Sequence, residues 1–281
     1  MDKRKIEENI FKGLMIISTA IIAGSLLLIL WTIISKGLPS LNWDMVSRIP
    51  EGGFYIGKEG GILNAIIGSI YITIGSTLLG LLVSIPVVLY VNVYVRKGSW
   101  FANLTRLAFD ILFGIPSIVY GAFGFTIMIF FGLKTSLLAG IITVSLLVIP
   151  ILARAIDEVV RVVPFELSDA TYSLGATRWE TAKVLLRQCI PGIITAILLS
   201  FGRAIGDAAS VLFTAGYTDS IPTSLSQPTA TLPLAIFFQL SSPIEEVQGR
   251  AYAAALILTI IVLIISIAAK YFSKKLSKNN I

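Results

Sequence analysis

Apolar residues in this chain come in long unbroken blocks separated by short charged segments. Gly13 to Ser35 carries no charge, and at about 1.5 Å of rise per residue it is long enough to cross a hydrocarbon layer roughly 30 Å thick. Gly60 to Val95 is also free of charge and has residues to spare for a long or tilted span. The whole pattern predicts six transmembrane helices, over about 13–35, 62–95, 108–133, 135–158, 190–215 and 250–270. The expected fold class is an all-α integral membrane protein with one transmembrane domain over 1–281. The basic start MDKRKIEEN followed by an apolar run resembles a signal peptide, but the run is long and no A-x-A site follows, so an uncleaved anchor is expected. Residues 36–60 read as an exposed loop with room for a short helix, flanked by Trp31 and Trp43 as interface residues. Thr231 to Leu240, set among four prolines, is apolar enough to dip into the membrane as a re-entrant piece.

Within the second block, Ala65, Ser69, Thr73 and Thr77 recur every fourth residue beside Gly68, Ser76, Gly80 and Ser84. Small residues at that spacing let helix backbones approach closely, so this face is expected to pack on another helix rather than to line a path.

One charged island, PFELSDATYSLGATRWETAKVLLRQCIP over 164–191, interrupts the apolar pattern. Pro164 suits a first helical position, and Glu166 and Asp169 complement the helix dipole in the early turns. Leu167, Ala170 and Leu174 form a narrow apolar stripe, and Gly175 offers a break. A second helix restarts at Thr177, whose Thr-x-x-Glu spacing to Glu180 is a capping box, with Trp179, Ala182 and Leu186 as its stripe. Pro191 marks entry to the next span. Two short helices hinged at a glycine fit either a loop packed on its own bundle or a plug laid into a groove on a cytosolic partner.

Composition agrees with the membrane reading: 56% of the 281 residues are hydrophobic, 14% are charged, and mean hydropathy is +0.88. The formal charge of +6 does not form a continuous soluble face, so nucleic acid is not an expected partner. Sixteen of the 22 Lys/Arg residues fall on the side of the termini and the island, five on the other, and Arg203 lies within a span. By the positive-inside rule both termini and the island are cytoplasmic, in a plasma membrane crossed several times. One cysteine excludes an internal disulfide, and the lack of histidine removes the commonest metal ligand and general base. No GxxxxGK[ST] phosphate loop occurs. The chain is therefore not expected to be an enzyme or to hold a cofactor or metal; ATP and Mg would belong to another subunit.

The fifth span contains Arg203 and Asp207. A charge at mid-membrane costs about 2.5–3.5 kcal/mol on insertion scales, so the pair needs a reason. At i and i+4 the two can neutralise each other. Alternatively, Arg203 meets a translocating anion and Asp207 holds the guanidinium or competes for it, keeping binding weak enough for release. Gly202 and Gly206 form a G-x-x-x-G expected to press this helix on a neighbour. Arg154, at the inner end of the fourth span, is a second anion contact or an interfacial snorkelling residue.

Asp169-Ala170-Thr171, three residues, then Gly175 resembles the Glu-Ala-Ala loop by which permease subunits of ABC importers engage their ATPase, with Asp169 for Glu and Thr171 for the second Ala. FGRAIGDAASVLFTA (201–215), FDILFGIPSIVYGAFGF (109–125), LPLAIFFQLSSP (232–243) and GATRWETAK together resemble the PstA-type permeases of phosphate-specific ABC importers. The resemblance implies a type I importer permease fold in which a second, PstC-like permease completes the translocation path. It further implies two PstB-like ATPase subunits docked on the loop bearing Glu166, Asp169, Ala170, Leu174, Gly175 and Trp179, and a PstS-like extracytoplasmic phosphate-binding protein. The substrate path would run over Arg203, Asp207 and Arg154, with Asp207 one methylene shorter than the Glu usual there. An importer of sulfate or molybdate is the same-class alternative. Other classes left open are a self-contained channel or ion-coupled transporter, and a membrane scaffold or sensor.

Overall fold

A computed structural model describes residues 3–51, 59–96 and 98–277. Residues 52–58 of the sequence-predicted outer loop, Lys97, and the last residue of the basic tail, Lys278, lie outside the described residues. Ten α-helices, a 3-10 turn at Leu38–Ser40, a π-turn at Tyr90–Tyr94 and one antiparallel pair of two-residue strands are the regular elements of the described residues.

Helix α1, Lys3–Gly37, is longer than the predicted first span because the charged N-terminal turns remain helical. Nothing in the described chain buries its membrane-length window. It touches the bundle only near its end, where Gly37 lies so close to the Tyr252 backbone that a Cβ would stand 2.6 Å from the carbonyl oxygen. The outer loop forms a short helix α2, Trp43–Ser47, capped by Asn42 Oδ1 accepting from the Met45 N–H at 2.8 Å. It also forms the antiparallel pair β1, Pro50–Glu51, and β2, Glu59–Gly60.

Helix α3, Leu63–Leu89, ends in a π-turn over Tyr90–Tyr94. Its small-residue face is the packing face that the spacing predicts. Ala65, Gly68, Ser69, Thr73, Ser76, Thr77, Gly80 and Ser84 are all buried, with Gly75 against Ile141 and Gly80 against Val148 and Leu152 of α6, Leu137–Val162. Without a hydrophobic force between helices in lipid, such close approach holds them by van der Waals contact and interhelical hydrogen bonds. Ser84 Oγ donates one, to the Ile149 carbonyl at 3.0 Å.

The region predicted as the third span, about 108–133, is two helices, α4, Trp100–Gly114, and α5, Ser117–Phe130, bent by 98°. Pro116 forces the preceding Ile115 out of helical geometry, to ψ 130. The Leu112 carbonyl accepts from the Ile115 N–H at 3.2 Å and from the Tyr120 hydroxyl at 2.8 Å, which ties the two helices across the bend. Helix α6 is the central post, packed on α3, α4, α5 and α8, and its Val144, Val148, Leu152 and Ile156 are fully enclosed.

Helix α7, Phe165–Ser173, leads through Gly175 (φ +80) into α8, Arg178–Ile205. The second helix of the island and the fifth span are one continuous helix, with Pro191 inside it. The predicted span over 190–215 is corrected at its outer end: the helix stops at Gly206, and the apolar stretch that follows is a series of turns. Asp207 Oδ2 accepts from the Ser210 N–H at 2.9 Å and so caps that new direction.

The chain returns inward as α9, Leu232–Leu240, whose first turn is buried and whose Leu232 N–H donates to Ser69 Oγ at 2.8 Å. Helix α10, Glu245–Ser277, closes the bundle against α1, α8 and α9. Five helices are long and apolar enough to cross a membrane, and the bent α4–α5 pair makes a sixth crossing if taken as one.

Candidate functional site

Arg203 stands in the last turn of α8 and Asp207 just past its end. Their charges are 3.7 Å apart, with the arginine side chain 53% exposed and the aspartate 3%. The carboxylate is fixed by the turn it caps, while the arginine side chain stands half exposed beside it. The G-x-x-x-G expectation is corrected within this chain: a Cβ at Gly202 would meet nothing within 4 Å. The reason is that α8 buries its other face, through Ala196, Ser200 and Ala204. Leu199, Gly202 and Arg203 are left on a bare surface.

Arg154 does not stand alone. It forms an ion pair with Asp110 of α4 and another with Glu158 one turn on, at 3.3 Å, and its guanidinium lies 5.7 Å from the Phe113 ring centre. Arg154 and Asp110 side chains are 44% and 53% exposed. Helices α6 and α8 run antiparallel, since the Ser136 N–H meets the Thr214 carbonyl at one end while Gly192 packs on Val159 nearer the other. Counting 1.5 Å per residue from that contact, Arg154 lies about 8 Å and Arg203 about 16 Å towards the far end. The two arginines therefore stand at successive levels of the bundle.

A second α4–α6 ion pair lies one turn nearer the loop, at residues that the sequence pattern does not single out. Arg106 Nε donates to Asp157 Oδ2 at 2.9 Å, and its Nη2 to Asp157 Oδ1 at 3.3 Å and to Asn92 Oδ1 at 3.1 Å. Asn92 Nδ2 donates in turn to Asp157 Oδ1 at 2.6 Å. Asp157 is 7% exposed and Arg106 27%, so this network ties the π-turn, α4 and α6 at a buried point. In the sequence Arg106 counts only as one more inner-side basic residue. The usable signal was Asp157, an acid one turn from Arg154 and from Arg161 near the end of a span.

Between the two pairs lies a cavity of about 100 Å³ lined by Arg106, Arg154, Arg161, Asp110, Asp157 and Glu158. A larger one, about 890 Å³, opens beside the island between the π-turn, α4 and α7, with Arg106, Asn92, Tyr172 and Thr181 in its wall.

The island residues fall on two faces. Leu174 is 88% exposed, and Glu166, Asp169, Ala170, Gly175 and Trp179 are exposed with it. The predicted stripes are corrected in one respect each: Leu167, and not Ala170 or Leu174, turns towards the bundle, and Trp179 points out while Ala182 is buried. Thr171 takes the inner place instead, its hydroxyl 3.1 Å from that of Thr181. The capping box is complete, with Glu180 accepting from the Thr177 N–H at 2.8 Å and from its hydroxyl at 2.7 Å. Those bonds hold the Glu180 carboxyl below its ordinary range. Arg178 donates to the Tyr94 carbonyl at 3.3 Å, joining the island to the π-turn.

A multi-pass bundle with an exposed helix-glycine-helix island and arginines at two depths defines a membrane permease. Residues 76–278 match the family described as "Binding-protein-dependent transport system inner membrane component". The chain is 35% identical to the phosphate transport system permease protein PstA of Yersinia pestis, over 89% of this chain and 84% of that one. It is 33% identical to PstA of Haemophilus influenzae, over 96% and 94% of the two chains, and 30% identical to PstA 2 of Mycobacterium tuberculosis, over 94% and 86%. Among solved structures, an inward-facing form of the MetNI methionine ABC transporter superposes with a TM-score of 0.60 at 21% identity, covering 76% of this chain and 95% of that chain. That likeness concerns the fold. The chain belongs to the inner membrane components of binding-protein-dependent transport systems, and among them to the PstA-type permeases.

Proposed function

We propose that this chain is a permease subunit of an ATP-driven importer of inorganic phosphate. The observation that carries this reading is Arg203, an exposed guanidinium beside a fixed, buried carboxylate at the end of a membrane helix. A guanidinium presents a planar fork of donors suited to tetrahedral oxyanions, and its charge survives desolvation. The adjacent Asp207 keeps the anion from binding too tightly and can accept a hydrogen bond from protonated phosphate, which sulfate does not offer. The names of the relatives support phosphate over sulfate or molybdate.

The same reading gives the other surfaces their partners. A second permease of PstC type covers the bare Leu199–Gly202–Arg203 face of α8 and completes the path. Two PstB-like ATPases hydrolyse ATP with Mg, one of them docked on Leu174, Ala170 and Trp179 of the island. A PstS-like binding protein delivers phosphate at the opposite side. The excess of Lys/Arg on the side of the termini and the island supports a cytoplasmic location for all three. Hydrolysis moves α7 and the start of α8, and since α8 is one continuous helix from Arg178 to Ile205, that motion is carried along it towards Arg203.

Labelled phosphate uptake by cells carrying all partners tests this, comparing the intact protein with Arg203→Gln under excess sulfate or molybdate. The expected result is loss of uptake in a variant that still inserts and assembles, with neither anion competing. Normal transport by the variant would make the pair structural, and competition by either anion would overturn the substrate assignment.

A further inference from the structure

The cavity between α4 and α6 is charge-balanced, with three arginines facing three carboxylates. An oxyanion that entered it unaided would add uncompensated negative charge, so one carboxylate has to give way. The three differ in their freedom to do so. Asp157 accepts from Arg106 and Asn92 at both oxygens and is buried. Letting go would strand a charge without solvent. Glu158 sits on the same helix as Arg154, one turn away, and holds only its Nε. Asp110 is half exposed and its hydrogen bond is the one from a terminal nitrogen of Arg154, the edge of the guanidinium that an oxyanion would take in a forked contact.

Resting on the anion-path reading above, we propose that Asp110 is the resident counter-ion of an inner anion station. It holds Arg154 between transport events, yields it to a tetrahedral oxyanion descending from the level of Arg203, and reclaims it to drive release. Three features support the assignment. The Arg106–Asp157–Asn92 network pins α4 against α6 one turn away, so Asp110 stays within reach of Arg154 when it lets go. The Phe113 ring lies against Arg154 and holds the guanidinium at the cavity mouth. Arg161, which has no ion pair among the described residues, adds positive charge on the side facing the loop. The design repeats that of Arg203 and Asp207, with one difference: there the carboxylate is fixed and only the arginine is exposed, whereas here both groups are exposed.

Binding of labelled inorganic phosphate is measured on the purified complete transporter in detergent, without its binding protein, and uptake on the same complex in sealed lipid vesicles supplied with ATP and the binding protein. Removing a competing, part-exposed carboxylate changes affinity by about two- to fivefold, the size of such a pair. Asp110→Asn is therefore expected to bind labelled phosphate two- to fivefold more tightly while its maximal uptake rate falls. Asp110→Glu should restore much of the rate. A residue with a purely structural role would weaken binding and rate together. Unchanged or weaker phosphate binding by Asp110→Asn, in a complex that assembles as the intact one does, would overturn the proposal even though wild-type uptake persists. Absence of saturable phosphate binding and uptake in the intact complex would instead sink the importer reading on which it rests.

Discussion

Two ion pairs join α4 to α6 one turn apart, Arg106 to Asp157 and Asp110 to Arg154, with the charges exchanged between the helices. Their chemistry is the same and their surroundings are not. In the first, Asp157 is buried, Asn92 reinforces the pair, and both carboxylate oxygens accept hydrogen bonds. In the second, both side chains are about half exposed. A buried, fully bonded pair cannot exchange partners without stranding a charge, so it serves as an anchor. An exposed pair is worth less than about 1 kcal/mol, so an anion can take one partner from it at little cost. Exposure, more than identity, divides the charged residues of this bundle into those that hold it together and those that can meet cargo.

The contrast is broken most severely at the anchor. Asp157→Ala leaves the largely enclosed Arg106 without its carboxylate and removes one of the two acceptors of Asn92 Nδ2, and is expected to cost about 3 kcal/mol. Thermal unfolding of the purified complex and the amount of assembled transporter both report it. A decrease as small as that expected for a surface pair would remove the distinction between the two sites.

Next in size is a change that leaves both pairs untouched. Leu174→Asp puts an unpaired carboxylate where a partner's apolar groove is expected, a cost of a few kcal/mol. Uptake should fall by more than about tenfold in a protein that still inserts, with phosphate binding unaltered. Unimpaired ATP-dependent uptake would count against the island as the coupling element, and would leave both arginine stations to be explained without a drive.

Local chemistry was legible in the residues. The small-residue face of α3, the Gly175 hinge and the Thr177–Glu180 box each depend on a few neighbouring positions, and each appears where its spacing put it. The helix ends were harder. Residues 208–215 are as apolar as any span, but the backbone leaves the helix at Gly206 and Asp207 caps a turn, a choice that hydropathy does not register. The α4–α5 bend follows from Pro116 and was hidden because the apolar block runs straight through it.

The site was legible in part for a related reason. Arg203 and Asp207 are four residues apart and inside an apolar run, so their pairing shows in one dimension. Arg106 and Asp157 are 51 positions apart and each resembles an ordinary charge at a span end. Only the packing of α4 on α6 brings them together. The same packing turned Arg154 from an isolated basic residue into half of an ion pair with Asp110.

That exposed arginines of this bundle carry the anion while buried ones carry the fold is tested most directly by neutralising both members of the exposed pair. In the double variant Arg154→Gln with Asp110→Asn, both charges are removed together, so neither is left without its counter-ion. A structural role predicts uptake close to that of the intact protein. An anion station predicts a normally assembled transporter whose labelled phosphate uptake falls about tenfold, the scale of one charge-assisted hydrogen bond. Uptake within about twofold of the intact protein, less than such a bond is worth, would contradict the anion station.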